Sequence, residues 1–190
     1  MNRRIALLRQ LEAYSPPEPE IRSHNEIVAF LRDPADPFSV DRYEPGHVTA
    51  GGLVLSSDLG LVLLIHHRRL DMWIEPGGHV DPTDADVVAT ATREVGEETG
   101  VTDIVPVGGG VLTVDAHEIP AYRSQPAHTH YNISYGFVAK SVDLSPSDEV
   151  AAARWQALDQ VDELTEDAAV RRAVLKLVRL VEGGSTSRTR

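Results

Sequence analysis

The sequence predicts an α+β fold, with a mixed β-sheet between helices in an α/β/α sandwich and an N-terminal helical extension. Three observations support this prediction. Apolar residues recur with helical spacing through residues 3–32, and strand patterns dominate from His47 to Trp155. Amphipathic helices are predicted at residues 84–99 and 166–182, so helices are available to cover both faces of the sheet. The 190 residues suffice for one domain with a buried core.

Three segments follow from these patterns. Residues 1–46 form the helical extension, residues 47–182 form the main domain, and residues 183–190 form a polar tail that we expect to fray. The extension is too short to fold alone. We expect it to pack on the main domain or on a second subunit, and the second case predicts a homodimer.

The strands of the main domain are recognised by short apolar runs and by alternation. Residues 53–55 and 61–65 predict a hairpin whose second strand is buried on both faces. The three glycines at residues 108–110 predict a turn or a bulge within the next strand region. Residues 131–139 alternate apolar and polar side chains and present one aromatic face, and residues 150–155 predict the last strand.

Composition excludes several classes of function. The formal net charge is −11, which disfavours a nucleic-acid polymer as the partner because its phosphates would be repelled. There is no cysteine, so disulfides, thiolate metal sites and cysteine nucleophiles are excluded. The apolar run after the N-terminus is too short for a signal peptide, and no run is long enough to span a membrane. A cytoplasmic location is therefore expected.

The helix predicted at residues 84–99 carries the chemistry. Thr83 is predicted to cap its start and Gly100 to end it. Glu94, Glu97 and Glu98 fall within one sector of about 100° beside the apolar stripe, where their charges repel one another. A solvated acidic face is one interpretation. The other is a site for a hard divalent cation, which binds carboxylate oxygens together with the phosphates of a substrate.

The residues around this helix resemble the Nudix box. In that pattern a glycine is followed by five residues and a Glu, then by seven residues and the run Arg-Glu-aliphatic-x-Glu-Glu-x-Gly-aliphatic. The matching residues here are Gly78, Arg93, Glu94, Val95, Glu97, Glu98, Gly100 and Val101. Two positions depart from the pattern: Asp84 stands in place of the first Glu, and eight residues separate it from Arg93.

The resemblance implies a Nudix-like α/β/α sandwich and a catalytic group made of Arg93, Glu94, Glu97 and Glu98. By the same resemblance, Mg²⁺ or Mn²⁺ would be held by the three glutamates and by the backbone carbonyl of Gly78. Arg93 would orient the glutamates through ion pairs. The metal would neutralise a diphosphate and activate a water for attack at phosphorus.

The proton acceptor for that water stays open at this point. It is one of the glutamates of the box or a carboxylate from a later loop. Asp148 and Glu149, just before the last predicted strand, are candidates for the later carboxylate, although charged residues that only begin a strand are the simpler explanation for each.

The implied reaction is metal-dependent hydrolysis of a diphosphate linkage in a nucleoside diphosphate joined to another moiety. A nucleoside triphosphate and a nucleotide sugar such as ADP-ribose are the substrates expected. The alternative is a non-catalytic Nudix-like module that only binds its ligand. An isopentenyl diphosphate isomerase resembles this fold as well, but that chemistry relies on a cysteine, which this chain lacks.

Two further groups are candidates for contact with substrate. His66, Arg68 and Arg69 form a cationic group before the Pro-Gly-Gly turn that could meet phosphates, or else an exposed loop. His128 and His130 alternate on one strand face and lie near His117 in the sequence. A histidine metal site, contacts to a phosphate or base, and structural hydrogen bonds all remain open for these imidazoles.

Overall fold

The computed structural model describes residues 2–185, and within this range seven strands form one sheet. The helices are α1 (Arg3–Ala13), α2 (Ile21–Arg32), α3 (Val87–Thr99), α4 (Val161–Leu164) and α5 (Ala168–Ser185). The strands are β1 (Gly46–Leu55), β2 (Leu61–His67), β3 (Met72–Ile74), β4 (Gly77–His79), β5 (Ile104–Ile119), β6 (His128–Ala139) and β7 (Ala152–Ala157).

The sheet is mixed, as the sequence predicted. Its main path runs β3-β2-β1-β6-β5, while β4 pairs with β1 and β7 pairs with β2. The long β1 and β6 are parallel, and the other pairs are antiparallel. A parallel pair needs a long crossover connection, which α3 and β5 supply here. The ends of β1, β4 and β6 are thereby brought side by side.

Helices cover both faces of this sheet and complete the predicted sandwich. On one face, α1, α2 and α3 pack over the apolar side of β6, where Tyr131, Ile133, Tyr135 and Phe137 are buried. On the opposite face, α5 packs over Leu53 and other residues of β1, β2 and β5. The apolar side chains of the alternating segment 131–139 therefore face α1, α2 and α3.

The helical extension packs on the main domain of its own chain. Leu7, Leu11, Ile27 and Leu31 are at most 1% exposed and belong to the same core as α3 and β6. The buried carboxylate of Glu20 strengthens this contact, since it accepts a hydrogen bond from the backbone N–H of Val114 in β5 at 3.4 Å. Dimerisation through the extension stays a prediction.

We expect Ile27→Val to lower the free energy of unfolding by about 1 kcal/mol, because one buried methylene is lost from a close-packed core. Ile27 is 0% exposed on α2, whereas Ile21 on the same helix is 44% exposed. Ile21→Val is the matched control and should leave stability nearly unchanged. Urea unfolding of both variants measures the difference. Equal stabilities would contradict the docking of the extension onto the core.

Gly52 allows α3 to lie directly against β1. A Cβ at this position would be 2.5 Å from Cγ2 of Val95 and 3.3 Å from the carbonyl oxygen of Ala91. We expect Gly52→Ala to cost about 1–3 kcal/mol by overpacking. Gly110→Ala is the control, because a Cβ there meets no described atom within 4 Å. Thermal unfolding compares the two, and a Gly52→Ala protein as stable as the control would contradict this close packing.

Several element boundaries differ from those expected. Helix α3 begins at Val87 instead of residue 84, and Asp86 caps it in place of Thr83. The tail expected from Gly183 begins inside α5, which runs to Ser185, and residues 186–190 lie outside the described range. The three glycines at residues 108–110 do form the predicted bulge, with Gly108 and Gly109 at positive φ. No helix among residues 2–185 is long and apolar enough to cross a membrane.

Candidate active site

Helix α3 starts at Asp86 because that side chain caps it. Its carboxylate accepts a hydrogen bond from the N–H of Ala89 at 2.8 Å, and its own backbone is extended. Thr83 does not cap the helix, because it lies three residues before Asp86, and its hydroxyl donates to Asp81. At the other end, Gly100 adopts the left-handed conformation with φ of 78° and closes the helix as expected. Burial of Ala91 and Val95 in the core sets the rotation of α3 and hence the side on which its glutamates lie.

Arg93 is the centre of the carboxylate cluster. Its guanidinium donates to Glu94 at 2.9 Å and to Glu97 at 2.7 Å. It also donates to both carboxylate oxygens of Asp84, at 3.1 and 3.0 Å, and to the carbonyl of His79 at 2.8 Å. The hydrogen bonds that Arg93 donates to Asp84 and to the two glutamates raise the pKa of Arg93. The cation is thus permanently charged and held in one orientation.

Asp84 reaches Arg93 despite the extra residue between them. Burial acts to raise its pKa, but the hydrogen bonds from Arg93 and from the hydroxyl of Thr90 hold it below the usual value. The side chain is only 6% exposed. Asp84 therefore stays ionised and pairs with Arg93. The two departures from the Nudix pattern, Asp84 itself and the extra residue before Arg93, do not prevent this contact.

Glu98 is the least compensated carboxylate of the cluster. It is 6% exposed, and within residues 2–185 it takes part in no ion pair. Burial raises the pKa of Glu98 to about 8, and the charges of Glu94 and Glu149 raise it further. The N–H of Gly77, which donates a hydrogen bond to Glu98 at 2.8 Å, acts in the opposite direction and lowers the pKa in part. Burial likewise raises the pKa of Glu94. Two buried carboxylates beside each other suit a divalent cation better than they suit an apolar environment.

The Gly77–Gly78 segment brings backbone close to these carboxylates. A Cβ on Gly78 would be 2.6 Å from Oε1 of Glu94, so a larger residue would displace that carboxylate. A Cβ on Gly77 would be 2.5 Å from the carbonyl oxygen of Ala50 in β1. Both glycines are therefore needed for the close approach of β4 to α3 and β1.

The two later carboxylates are placed differently. The charge of Glu149 contributes to the raised pKa of both Glu94 and Glu98, so this charge lies near the cluster. The backbone carbonyl of Asp148 instead accepts a hydrogen bond from Arg68 at 2.8 Å. Arg68 therefore anchors the loop that carries Glu149, and it does not join the histidines discussed below.

A row of hydrogen-bonded polar side chains joins β1 and β6 to Glu75, a residue between β3 and β4. Glu75 accepts hydrogen bonds from the hydroxyl of Ser134 and from Nδ2 of Asn132, which lies 3.2 Å away. The hydroxyl of Thr49 donates to Asn132 at 3.1 Å. Burial raises the pKa of Glu75. A Cβ on Gly51 would be 2.4 Å from Oε1 of Glu75, so this glycine makes room for the carboxylate.

A pocket of about 250 Å³ continues this row at the ends of β1, β4 and β6. It brings together His47, His79, His128, His130 and Arg69. Desolvation in the pocket and the charges of neighbouring imidazoles lower the pKa of His79 to about 4, although part of this residue remains exposed to solvent, and the same two causes lower the pKa of His130. Burial also lowers the pKa of His47. These rings are neutral at neutral pH.

The residues predicted to form one cationic group, His66, Arg68 and Arg69, lie in different places in the structure. Arg69 lines the histidine pocket, where its guanidinium lies 4.8 Å from the ring of Tyr122 and donates to the carbonyl of Pro120 at 2.6 Å. His66 instead lies in β2 with its ring 5.2 Å from that of Trp73 and 3.3 Å from Asp71. The structure therefore groups Arg69, and not His66 or Arg68, with His128 and His130.

Sequence reasoning missed His47, His79 and Glu75. His47 and His79 are single histidines at the beginning of β1 and the end of β4, and only strand pairing brings them to His130. Glu75 stood as a lone acid between Ile74 and Pro76, and its position in a mostly apolar stretch was the available signal.

Comparison with protein families and curated proteins gives consistent matches. The family model for the NUDIX domain matches residues 45–178. The chain is 37% identical over 82 residues to "Nucleoside diphosphate-linked moiety X motif 6" of Xenopus laevis, covering 42% of this chain and 36% of that protein. It is 33% identical over 89 residues to "Uncharacterized Nudix hydrolase NudL" of Enterobacter sp. (strain 638), covering 44% and 46%. The match thus spans less than half of either relative.

Solved structures share the fold at low sequence identity. A Caenorhabditis elegans Ap4A hydrolase in a binary complex has a TM-score of 0.50 and 19% identity, with 72% of this chain and 98% of that chain covered. A NUDIX family hydrolase from Clostridium perfringens has a TM-score of 0.52 and 17% identity, covering 72% and 96%. The NUDIX domain of Shewanella oneidensis NrtR, complexed with ADP ribose, has a TM-score of 0.50 and 17% identity, covering 68% and 84%.

Proposed function

Because the chain belongs to the NUDIX domain family, we propose that it hydrolyses a diphosphate linkage in a nucleoside diphosphate joined to another moiety. The observation that carries the proposal is the cluster of Glu94, Glu97 and Glu98 around Arg93, in which Glu98 is buried beside Glu94 with no ion pair in the described residues. A purely structural acidic face would be solvated or neutralised.

The donor set fits a hard divalent cation, and Mg²⁺ or Mn²⁺ is proposed as the cofactor. Glu94, Glu97, Glu98 and the backbone carbonyl of Gly78 would hold it, since these ions prefer oxygen ligands. When bound, the cation supplies positive charge that neutralises the diphosphate and favours ionisation of the attacking water.

Each residue of the cluster has a separate proposed role. Arg93 orients Glu94 and Glu97 through its hydrogen bonds, and Asp84 fixes Arg93 from the other side. The N–H of Gly77 holds one oxygen of Glu98 and leaves the other available. The charge of Glu149 acts on both Glu94 and Glu98, and within residues 2–185 Glu149 is not paired with Arg93, so it is the proposed acceptor for the proton of the water.

A nucleoside triphosphate or a nucleotide sugar such as ADP-ribose is proposed as the substrate. The polar row of Thr49, Asn132 and Ser134 offers hydrogen-bonding groups, and Arg69 and His128 line the histidine pocket at the end of the same strands. With a net charge of −11, the protein depends on such local cations to meet phosphates. The similar folds that carry ADP ribose or act on Ap4A support this class of ligand at the level of the fold alone.

The test is a substrate panel of nucleoside triphosphates, nucleotide sugars and dinucleoside polyphosphates, incubated with Mg²⁺ in ¹⁸O-labelled water. Anion exchange separates the products, and mass spectrometry locates the label. We expect cleavage within a diphosphate and one labelled oxygen on a product phosphate. Tight binding of a nucleotide without turnover would instead assign the chain to the alternative class, a ligand-binding module.

A further inference from the structure

Three histidines from three neighbouring strands converge at the end of the sheet. His47 lies in β1, His79 in β4 and His130 in β6, and one ring nitrogen from each lies within 4.8 Å of the other two. The ring centroids are 4.9 to 5.3 Å apart. The three imidazoles therefore surround one point in the pocket beside the carboxylate cluster.

The strand register is the reason for this convergence. In the parallel pair of β1 and β6, His47 lies directly opposite His130. In the antiparallel pair of β1 and β4, His79 lies opposite Thr49, which is two residues from His47 and on the same face of β1. Extended strands thus hold all three side chains on one face, and closing them round an ion requires only side-chain rotation.

His47 supplies a second, independent observation. Its side chain is 1% exposed, and its Nδ1 lies 3.1 Å from the backbone carbonyl of Arg42. A ring nitrogen next to a carbonyl carries the proton, so Nε2 bears the lone pair. Among residues 2–185, Nε2 has no hydrogen-bond partner although it is buried. Buried polar atoms are nearly always paired, and a carbonyl behind the far ring nitrogen is the usual support of a metal-binding imidazole.

We propose that His47, His79 and His130 hold a transition-metal ion of borderline softness, such as Zn²⁺, at a site separate from the glutamates. Three nitrogen ligands suit Zn²⁺ and are poor ligands for Mg²⁺. Tetrahedral Zn–N bonds of about 2.0–2.1 Å require nitrogens about 3.4 Å apart, so the rings must close by roughly 1 Å. His79 is exposed and free to make that movement.

Neighbouring residues complete the surroundings of this site. The Nδ1 of His128 lies 2.8 Å from the carbonyl of Pro126, and its Nε2 lies 3.2 Å from Nε2 of His130. His128 is therefore placed to support His130 or to add a fourth nitrogen. The pocket wall also carries Asp41, whose negative charge favours a bound cation. A fourth coordination position facing the pocket suits a water or a phosphate oxygen of a ligand.

The experiment is a titration of the chelator-treated full chain with Zn²⁺ alone, in millimolar Mg²⁺ to occupy the glutamates, followed by calorimetry. We expect one Zn²⁺ per chain and an affinity at least about 100-fold weaker in His79→Gln. Because His79 is exposed, this variant should fold, and circular dichroism checks it; His130→Gln is the second variant. Long-range ¹H–¹⁵N NMR of the wild-type imidazoles should show zinc-dependent shifts for His47, His79 and His130.

Two control variants separate this site from others. His66→Gln removes a histidine outside the pocket, and Glu98→Gln disables the carboxylate cluster; both should bind Zn²⁺ like the wild type. Zinc binding that is lost in Glu98→Gln and kept in His79→Gln would overturn the proposal, as would an absence of zinc binding by the wild type. The zinc titration contains no substrate and does not depend on the carboxylate cluster. Zinc binding at the histidines would therefore stand even if the protein hydrolysed no diphosphate.

Discussion

Replacing Glu98 with glutamine should lower kcat for diphosphate hydrolysis by about 1000-fold, with the protein still folded. The substitution keeps the size of the side chain and removes one negative charge from the proposed cation site. Metal-assisted stabilisation of a phosphoryl transition state is worth several kcal/mol, and about 4 kcal/mol corresponds to a factor of 1000. Steady-state assays of the substrate identified by the panel measure the effect at saturating Mg²⁺.

Because Glu98 is buried, Glu98→Gln is expected to lower activity without lowering the stability of the fold. Burial raises the pKa of Glu98 to about 8, which shows that its charge is unfavourable there without a cation. An uncharged glutamine should therefore be tolerated by the fold, as urea unfolding can verify. Glu163→Gln, at an exposed position on α4, is the matched control and should retain full activity. A Glu98→Gln enzyme with near-normal kcat would exclude Glu98 from the catalytic cluster.

Arg93→Ala should lower the free energy of unfolding by about 3 kcal/mol and reduce activity by at least 100-fold. The side chain of Arg93 is 27% exposed, while the side chains of Asp84 and Glu94, with which it pairs, are only 6% and 11% exposed. Removing one partner of a buried ion pair costs about 3–5 kcal/mol because an uncompensated charge remains, and the partial exposure here favours the lower value. Urea unfolding in the presence of chelator isolates this effect from metal binding.

Two further variants sharpen the interpretation of Arg93. Arg93→Lys keeps the charge but lacks the planar fork that reaches Asp84, Glu94 and Glu97 together, so it should restore only part of the stability. Arg22→Ala removes an ion pair with Glu26 in which Arg22 is 91% exposed, and it should leave stability nearly unchanged because solvent screens this pair. If Arg93→Ala were as mild as Arg22→Ala, the cluster would not depend on Arg93.

The glutamates and their arginine were predictable from the sequence because they lie on one helix. Helical geometry relates Arg93 to Glu97, four residues later, and gathers Glu94 and Glu98 on the same side without help from the rest of the chain. The structure confirms the contacts of Arg93 with both Glu94 and Glu97. Sequence spacing did not determine whether Asp84 would reach Arg93, since that distance depends on where the helix begins.

The start of α3 illustrates how local signals compete. Thr83 and Asp86 are both good capping residues, and the sequence favoured Thr83. In the structure the hydroxyl of Thr83 bonds to Asp81, and the carboxylate of Asp84 is directed to Arg93 and Thr90. Contacts across the loop therefore shift the cap to Asp86 by three residues.

The sequence by itself determined the carboxylate cluster, because those residues are spaced along one helix, and its periodicity indicated a sheet between helices. The family followed from the resemblance of residues 78–101 to the Nudix box. Only the tertiary structure decided that His47 and His79 lie beside His130. It also decided that Arg69 lines the pocket of these histidines while His66 and Arg68 lie elsewhere, and that Glu75 binds Asn132. These groups are contributed by strands distant in sequence. Their meeting depends on the pairing register of β1 with β4 and β6, and a shift of one residue would turn the side chains to the other face.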